Sequence, residues 1–222
     1  MTPPFTAFST FQPFQPFPPV TRLILASHNE HKLRELRVLC GLPEGLLVPA
    51  SAVPGAPDPE EDADTFVGNA LVKARALRDA SGEWALADDS GLEVDALGGA
   101  PGVHSARYAG VHGEDGANNA LLLRNLDALG PKAPRTCHFS CALALVSPDG
   151  REFVALGQCP GTLLREGRGT NGFGYDPLFL PDGRDKTFAE LPREVKCTFS
   201  HRARAAERMR PLLRSLFPAV VS

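Results

Sequence analysis

Short runs of apolar residues alternate along the chain with longer stretches in which apolar positions recur every three or four residues, the pattern of a sequence that mixes strands with helices. Leu23-Ile24-Leu25-Ala26 is the first short run, and leucines at 33, 36 and 39 follow from Glu30 and end at Gly41. That order predicts a strand, a tight turn and a helix. Pro, Ala and acidic residues over 49–62 predict a loop, after which Phe66, Ala70 and Leu77 mark the stripe of a second helix. Residues 84–87 and 92–94 read as strands flanking an acidic turn, Asp88-Asp89-Ser90-Gly91. A loop over 98–113, a helix over 118–129 and a hairpin of 136–146 with 151–157 about Pro148-Asp149-Gly150 come next. A glycine-rich stretch over 167–174 precedes a last helix from about Ser200, expected to be interrupted at Pro211. Strict alternation of strand and helix is absent, which predicts an α/β domain with a mixed sheet and helices around it.

The pattern begins only after residue 20. Before it stand Pro3, Pro4, Pro13, Pro16, Pro18 and Pro19, interleaved with Phe5, Phe8, Phe11, Phe14 and Phe17. Phenylalanine at every third position would align the rings along one edge of a polyproline-type helix. We expect 1–20 to be a disordered extension and 21–222 to form one domain. With 43% apolar and 22% charged residues in 222, the chain can bury a full core without cross-links. A formal net charge of −3 argues against bulk nucleic acid as a partner, because its binders carry strongly basic domains. No stretch approaches the roughly 18 apolar residues of a membrane span. The first 20 residues lack the basic start and unbroken apolar run of a secretory signal, so a cytoplasmic protein with no membrane or nucleic-acid partner is expected. The cysteines, at 40, 137, 141, 159 and 197, include no CxxC pair and suggest neither a disulfide framework nor a zinc ribbon. In a strand, Cys137 and Cys141 face one side and His138 the other, which favours half-buried strand residues over metal ligands.

Several charges break local rules, and misfits of that kind mark candidate sites. Lys32 falls in the first turn of its helix, whether Ser27 or Asn29 is the cap, where a cation opposes the helix dipole. An anion would reverse the sign: orphan backbone N–H groups, a capping side chain and a lysine make a phosphate cradle. His201 and Arg202 repeat the misfit behind the plausible cap Ser200. Lys73 falls on the apolar stripe of the second helix, as a snorkelling surface lysine or as one aimed into a polar cleft. Of Asp88 and Asp89, one should point into a site and the other brace the turn. Glu60 and Glu61, with Asp62 and Asp64, form a second acidic cluster. Magnesium takes one or two carboxylates plus water and substrate phosphates, so one acid from each cluster would suffice. Gly167-Arg168-Gly169-Thr170-Asn171-Gly172 matches a dinucleotide fingerprint by letter, yet Pro177 prevents the helix that should follow. Its glycines are expected to let backbone approach a ligand beside Phe173, whose ring can stack on a base.

Ser27-x-Asn29-x-x-Lys32-x-x-Glu35, Thr65-Phe66 with Asn69-Ala70 and Lys73-Ala74, and Ala87-Asp88-Asp89-Ser90-Gly91-Leu92 closely resemble the inosine triphosphate pyrophosphatase family. Gly98-Gly99-Ala100-Pro101-Gly102, Ser105-Ala106-Arg107-Tyr108, Gly172-Phe173-Gly174-Tyr175-Asp176-Pro177, and Lys196 with Ser200-His201-Arg202 continue the match in order. The resemblance implies a two-lobed α/β fold with a long mixed sheet, a site in the cleft between lobes, and a homodimer. It also implies Mg2+-dependent hydrolysis of the purine nucleoside triphosphates ITP, dITP and XTP to monophosphate and pyrophosphate. By the same resemblance Ser27, His28, Asn29, Glu30, His31, Lys32 and Lys73 would hold phosphates. Asp89 would be general base and metal ligand, with Ser90 beside it and Glu60 or Glu61, the latter preferred, as the other metal carboxylate. Phe173, Gly174, Tyr175, Asp176, Lys196, His201 and Arg202 would bind the nucleotide, base included. His28 and Asn171 depart from the family pattern, standing where a small residue and a glycine are usual. The competing readings are a pyrophosphatase of modified pyrimidine triphosphates and a nucleotide-binding regulator that does not hydrolyse. Paired acids beside the basic clusters argue against the regulator, since carboxylates repel phosphate unless a metal intervenes.

Overall fold

The computed structural model describes residues 22–27 and 29–217. The extension read over 1–20 lies outside them, as do His28 and the side chain of His31. The chain runs β1 (Leu23–Leu25), α1 (Glu30–Cys40), β2 (Leu47–Pro49), α2 (Phe66–Ser81), β3 (Trp84–Val94), α3 (Asp115–Asp127), β4 (Thr136–Val146), β5 (Glu152–Leu163), β6 (Phe179–Pro181), α4 (Arg193–Lys196) and α5 (His201–Leu216), with short 3-10 turns between. One six-stranded sheet takes the order β2-β1-β3-β4-β5-β6, parallel across its first three strands and antiparallel across the rest. It is the mixed α/β architecture that the pattern predicts.

The two-residue period of the strands sorts the core. Leu23, Leu25, Leu86, Leu143 and Leu145 face α1 and α5, meeting Leu36, Leu39, Ala206, Met209 and Leu213. Ile24, Ala85, Ala87, Ala142 and Ala144 face the other way onto Ala70, Ala74 and Leu77 of α2. A third cluster lies at the far ends of the long strands, where Leu92, Val94, Phe139, Phe179 and Phe188 pack on Leu122 and Leu126 of α3. The strands β3, β4 and β5 thus carry one core at each end, and the site lies between.

Four elements differ from the sequence expectation. Residues 88–91 are not a turn: β3 continues through them, paired from Asp88↔Leu143 to Gly91↔Ser140 with β4. Turn propensity gives way to an antiparallel ladder supplied from fifty residues downstream. Helix α5 runs through Pro211 to Leu216, because Met209, Leu213, Leu216 and Phe217 are all buried against the sheet and outweigh the lost N–H. Strand β5 continues past residue 157 to Leu163, and α3 begins at Asp115. Cys137 and Cys141 are buried, while His138 on the other face meets Glu93 with Nε2 3.0 Å from its carboxylate.

Candidate active site

The first wall of the site is the entry to α1. Asn29 is the cap: its Oδ1 accepts from the backbone N–H of Lys32 at 3.1 Å, and Ser27 Oγ accepts from the N–H of Asn29. The Lys32 ammonium lies 2.8 Å from Asp88 Oδ1. On the same carboxylate sits Arg202, whose Nε reaches Asp88 Oδ2 at 3.1 Å while Nη1 reaches Glu35 at 3.0 Å and Nη2 reaches Ser90 Oγ at 3.0 Å. Ser200 does cap α5, accepting from Ala203 N. Arg202 is 1% exposed. Burial works against a charge on Asp88, but Arg202 and Lys32 overrule it and hold the carboxyl well below its usual range.

Alternation along β3 sends Asp89 to the opposite face. There Lys73 of α2 donates to Asp89 Oδ1 at 2.9 Å, to Glu61 Oε1 at 3.1 Å and to the Asp88 carbonyl at 3.0 Å. Lys73 is therefore the cleft lysine and not a snorkelling one. Desolvation, with the charges of Glu61 and Asp88 nearby, raises the Asp89 carboxyl to about 6 against the pull of Lys73. Desolvation also pushes Glu61 up, yet Lys73 and Lys32 bring it below its ordinary value. Arg107 holds the Glu61 loop by donating to its carbonyl at 2.8 Å. Asp89 is 6% exposed, and its Oδ2 is buried without a hydrogen-bond donor among the described residues. An orphaned carboxylate oxygen beside a second carboxylate suits a hard divalent cation. Among the described residues no three His, Cys, Asp or Glu side chains converge as a metal cluster, so such a cation would draw its other ligands from phosphate and water.

The far wall is the glycine-rich loop. Its glycines approach their own chain: a Cβ on Gly169 would fall 2.3 Å from the Ala189 carbonyl, and one on Gly172 would fall 1.9 Å from Asp176 Oδ2. The expected backbone approach to a ligand is thus replaced by a tight internal fold, with the N–H groups of Thr170 and Asn171 both on the Ala189 carbonyl. That fold leaves the Phe173 ring 49% exposed at the cavity. Lys196 binds Asp176 Oδ2 and lies 5.3 Å from the Phe173 ring centroid and 4.8 Å from that of Phe188. Burial raises Asp176 despite Lys196. His201 stacks on Phe139 with centroids 4.8 Å apart, and its Nδ1 has no hydrogen-bond partner among the described residues. Burial, with Arg202 and Lys196 beside it, holds the imidazole well below its ordinary pKa and so neutral.

One cavity of about 720 Å³ collects these walls. Ser27, Asn29, Lys32, Glu61, Lys73, Ser90, Phe173, Gly174, Tyr175, Asp176, Lys196, His201 and Arg202 all line it, as does Asp88; Asp89 does not, and reaches it through its ion pair with Lys73. Glu30 and Glu60 are exposed and do not line it. Sequence reasoning left Glu35 and Arg107 without a role. For Glu35 a signal existed, since it lies three residues from Lys32 on the same helix face; for Arg107, which reaches 46 residues back to Glu61, only the fold shows the contact.

The chain is similar to known proteins over most of its length. The model of the Ham1 family matches residues 23–212. A dITP/XTP pyrophosphatase of Leifsonia xyli subsp. xyli is 49% identical over 204 residues, spanning 89% of this chain and 98% of that protein. Another, of Streptomyces avermitilis, is 51% identical over 200 residues, spanning 89% and 99%. Among solved structures, a HAM1 protein of Coxiella burnetii superposes with a TM-score of 0.80 at 39% identity, covering 86% of this chain and 98% of that one. A nucleoside-triphosphatase / dITP/XTP pyrophosphatase of Mycobacterium abscessus gives 0.72 at 45%, covering 86% and 100%. With the family model spanning most of its length and relatives about half identical over nearly all of theirs, the chain belongs to the Ham1 family.

Proposed function

We propose that the chain is a nucleoside triphosphate pyrophosphatase that hydrolyses non-canonical purine nucleoside triphosphates, dITP, ITP and XTP, to monophosphate and pyrophosphate. The observation that carries this reading is the meeting, in one cavity, of Lys32 and Lys73, the carboxylates of Asp88 and Glu61, and an exposed aromatic ring, with Asp89 bound to Lys73 at its edge. Ser27, Asn29, Lys32 and Lys73 bind phosphate oxygens; unit charges about 4 Å apart contribute roughly 4 kcal/mol at an effective dielectric of 20. Asp89 and Glu61 would hold magnesium, which when bound would neutralise charge on the phosphates and polarise a phosphoryl oxygen. Asp89 orients the attacking water and takes its proton at a carboxylate oxygen. Phe173 stacks on the base, and Asp176 and Lys196 fix that end of the nucleotide.

Selectivity needs a reader of the purine 6-position. A neutral His201 N–H donates to a 6-keto oxygen and meets no acceptor on a 6-amino group, a mismatch of the kind that discriminates strongly. Arg202 is already bound to Asp88, Glu35 and Ser90, so its part in this reading is to hold the floor of the site. In this reading the enzyme is cytoplasmic and a homodimer. What supports the dimer is an apolar strip on β5, where α2 leaves Val154 and Leu156 42% and 48% exposed.

The deciding experiment incubates the protein with ITP, dITP, XTP, ATP and GTP and magnesium, assaying phosphate and pyrophosphate separately. Pyrophosphate from the first three is expected. Orthophosphate alone, or equal rates on ATP, would sink the proposal.

A further inference from the structure

Helix α3 reaches the cavity through a single residue. Asp115, in its first turn, accepts from the Gly174 N–H at 2.6 Å through Oδ2, and Asn119 donates from Nδ2 to the Gly174 carbonyl at 2.9 Å. Residues four apart share a helix face, so the two side chains grip both polar groups of one residue. Gly174 sits at φ +61° directly after Phe173, the ring exposed at the cavity. On its other side the Phe173 backbone bonds within its own turn, where its N–H donates to Asp176 Oδ2 and its carbonyl accepts from Asp176 N, and Lys196 holds that same Asp176 oxygen and lies 5.3 Å from the ring centroid. The α3 contacts link that turn to an element anchored by buried Leu122 and Leu126. The orientation of the Asn119 amide is fixed, because a flipped amide would set Oδ1 against the Gly174 carbonyl.

We propose that Asp115 and Asn119 are positioning residues for base recognition, holding the N–H and the carbonyl of Gly174 so that the ring before it is presented to the nucleobase. This rests on the pyrophosphatase reading and deepens it, assigning to α3 a share of affinity for the base and none of the affinity for the triphosphate. The physical ground is preorganisation. A stacking ring on a wandering turn must be ordered when substrate binds, and one gripped at the next peptide is ordered beforehand.

The test measures KM and kcat for ITP in the wild type, Phe173→Ala, Asp115→Ala, Asn119→Ala and Asp115→Asn. Inhibition by inorganic tripolyphosphate, which has the anhydride chain and no base, is measured beside them. Base stacking lost in part predicts a KM for ITP raised about tenfold in Asp115→Ala and Asn119→Ala, with kcat and the tripolyphosphate inhibition constant within about twofold of wild type. Asp115→Asn keeps an acceptor for the Gly174 N–H and recovers most of the KM loss. If an alanine variant does not fold, Asn119→Asp removes the donor at constant size and stands in for it. Parallel weakening of tripolyphosphate and ITP would mark general damage and overturn the proposal. If Phe173→Ala raises KM while the α3 variants do not, the positioning role fails alone. If Phe173→Ala leaves KM unchanged, the stacking assignment fails and the positioning role with it.

Discussion

Asp88 and Asp89 are neighbours in sequence with opposite surroundings, because successive residues of β3 face opposite sides of the sheet. Asp88 is closed in by Arg202 and Lys32 and is ionised throughout the working range. Asp89 has one oxygen on Lys73 and one without a donor among the described residues, a carboxylate with capacity to spare. Asp89→Asn is expected to abolish turnover while equilibrium nucleotide binding survives; near-normal turnover would refute its assignment as base. Asp88→Ala should instead act on stability, costing about 3–5 kcal/mol in urea unfolding, since it strands the Arg202 and Lys32 charges. His201 adds a pH dependence. Its depressed pKa means the unfolded chain takes up a proton near pH 6.5 that the folded chain refuses. Its contribution is full above that pH and lost as pH falls, by up to about 1.4 kcal/mol per pH unit. Urea unfolding near pH 7 and near pH 5.5 should show a shallower loss in His201→Asn than in the wild type, and equal slopes would remove His201 as the source.

At the scale of elements, α5 meets β5 at Gly157, where a Cβ would lie 2.1 Å from the His201 carbonyl and 2.4 Å from Ala205 N. Gly157→Ala must push the start of α5 away from the sheet, taking His201 and Arg202 with it. A loss of about 1–3 kcal/mol in unfolding free energy is expected, with a raised KM for ITP. Wild-type KM in that variant would show that the start of α5 does not need this contact. Gly157 also shows the limit of reading elements from sequence, since only the approach of a helix forty-four residues downstream reveals why it lacks a side chain. The site at the two helix starts was legible because Lys32 and Arg202 in the first turn contradict the local dipole, and the contradiction needs no partner to be seen. The course of β3 through Asp88-Asp89-Ser90-Gly91 was not legible, because turn-forming residues become strand only when β4 supplies the ladder. The same reason hid Arg107 and the α3 contacts, each of which joins residues distant in sequence.

For the whole molecule, α2 covers the sheet face over β1, β3 and β4 and leaves the β5 strip open. Leu156→Glu is expected to shift the proposed dimer to monomer in sedimentation equilibrium, and an unchanged mass would place the contact elsewhere. The motifs gathered in the cavity come from the whole length of the described chain, from Ser27 to Arg202. Their order could be read from sequence, and their depth could not: that Glu61 faces inward while Glu60 faces solvent follows from the loop's course past Lys73. The continuous strands β3, β4 and β5 bear on motion as well as on shape. Because the same three strands pass through the cores on both sides of the cleft, no linker joins two independent bodies. Opening of the cleft is then expected to involve bending of these strands together with movement of the loops. A body built this way releases its backbone amides to exchange together, and both ends of the long strands should share one free energy of global opening.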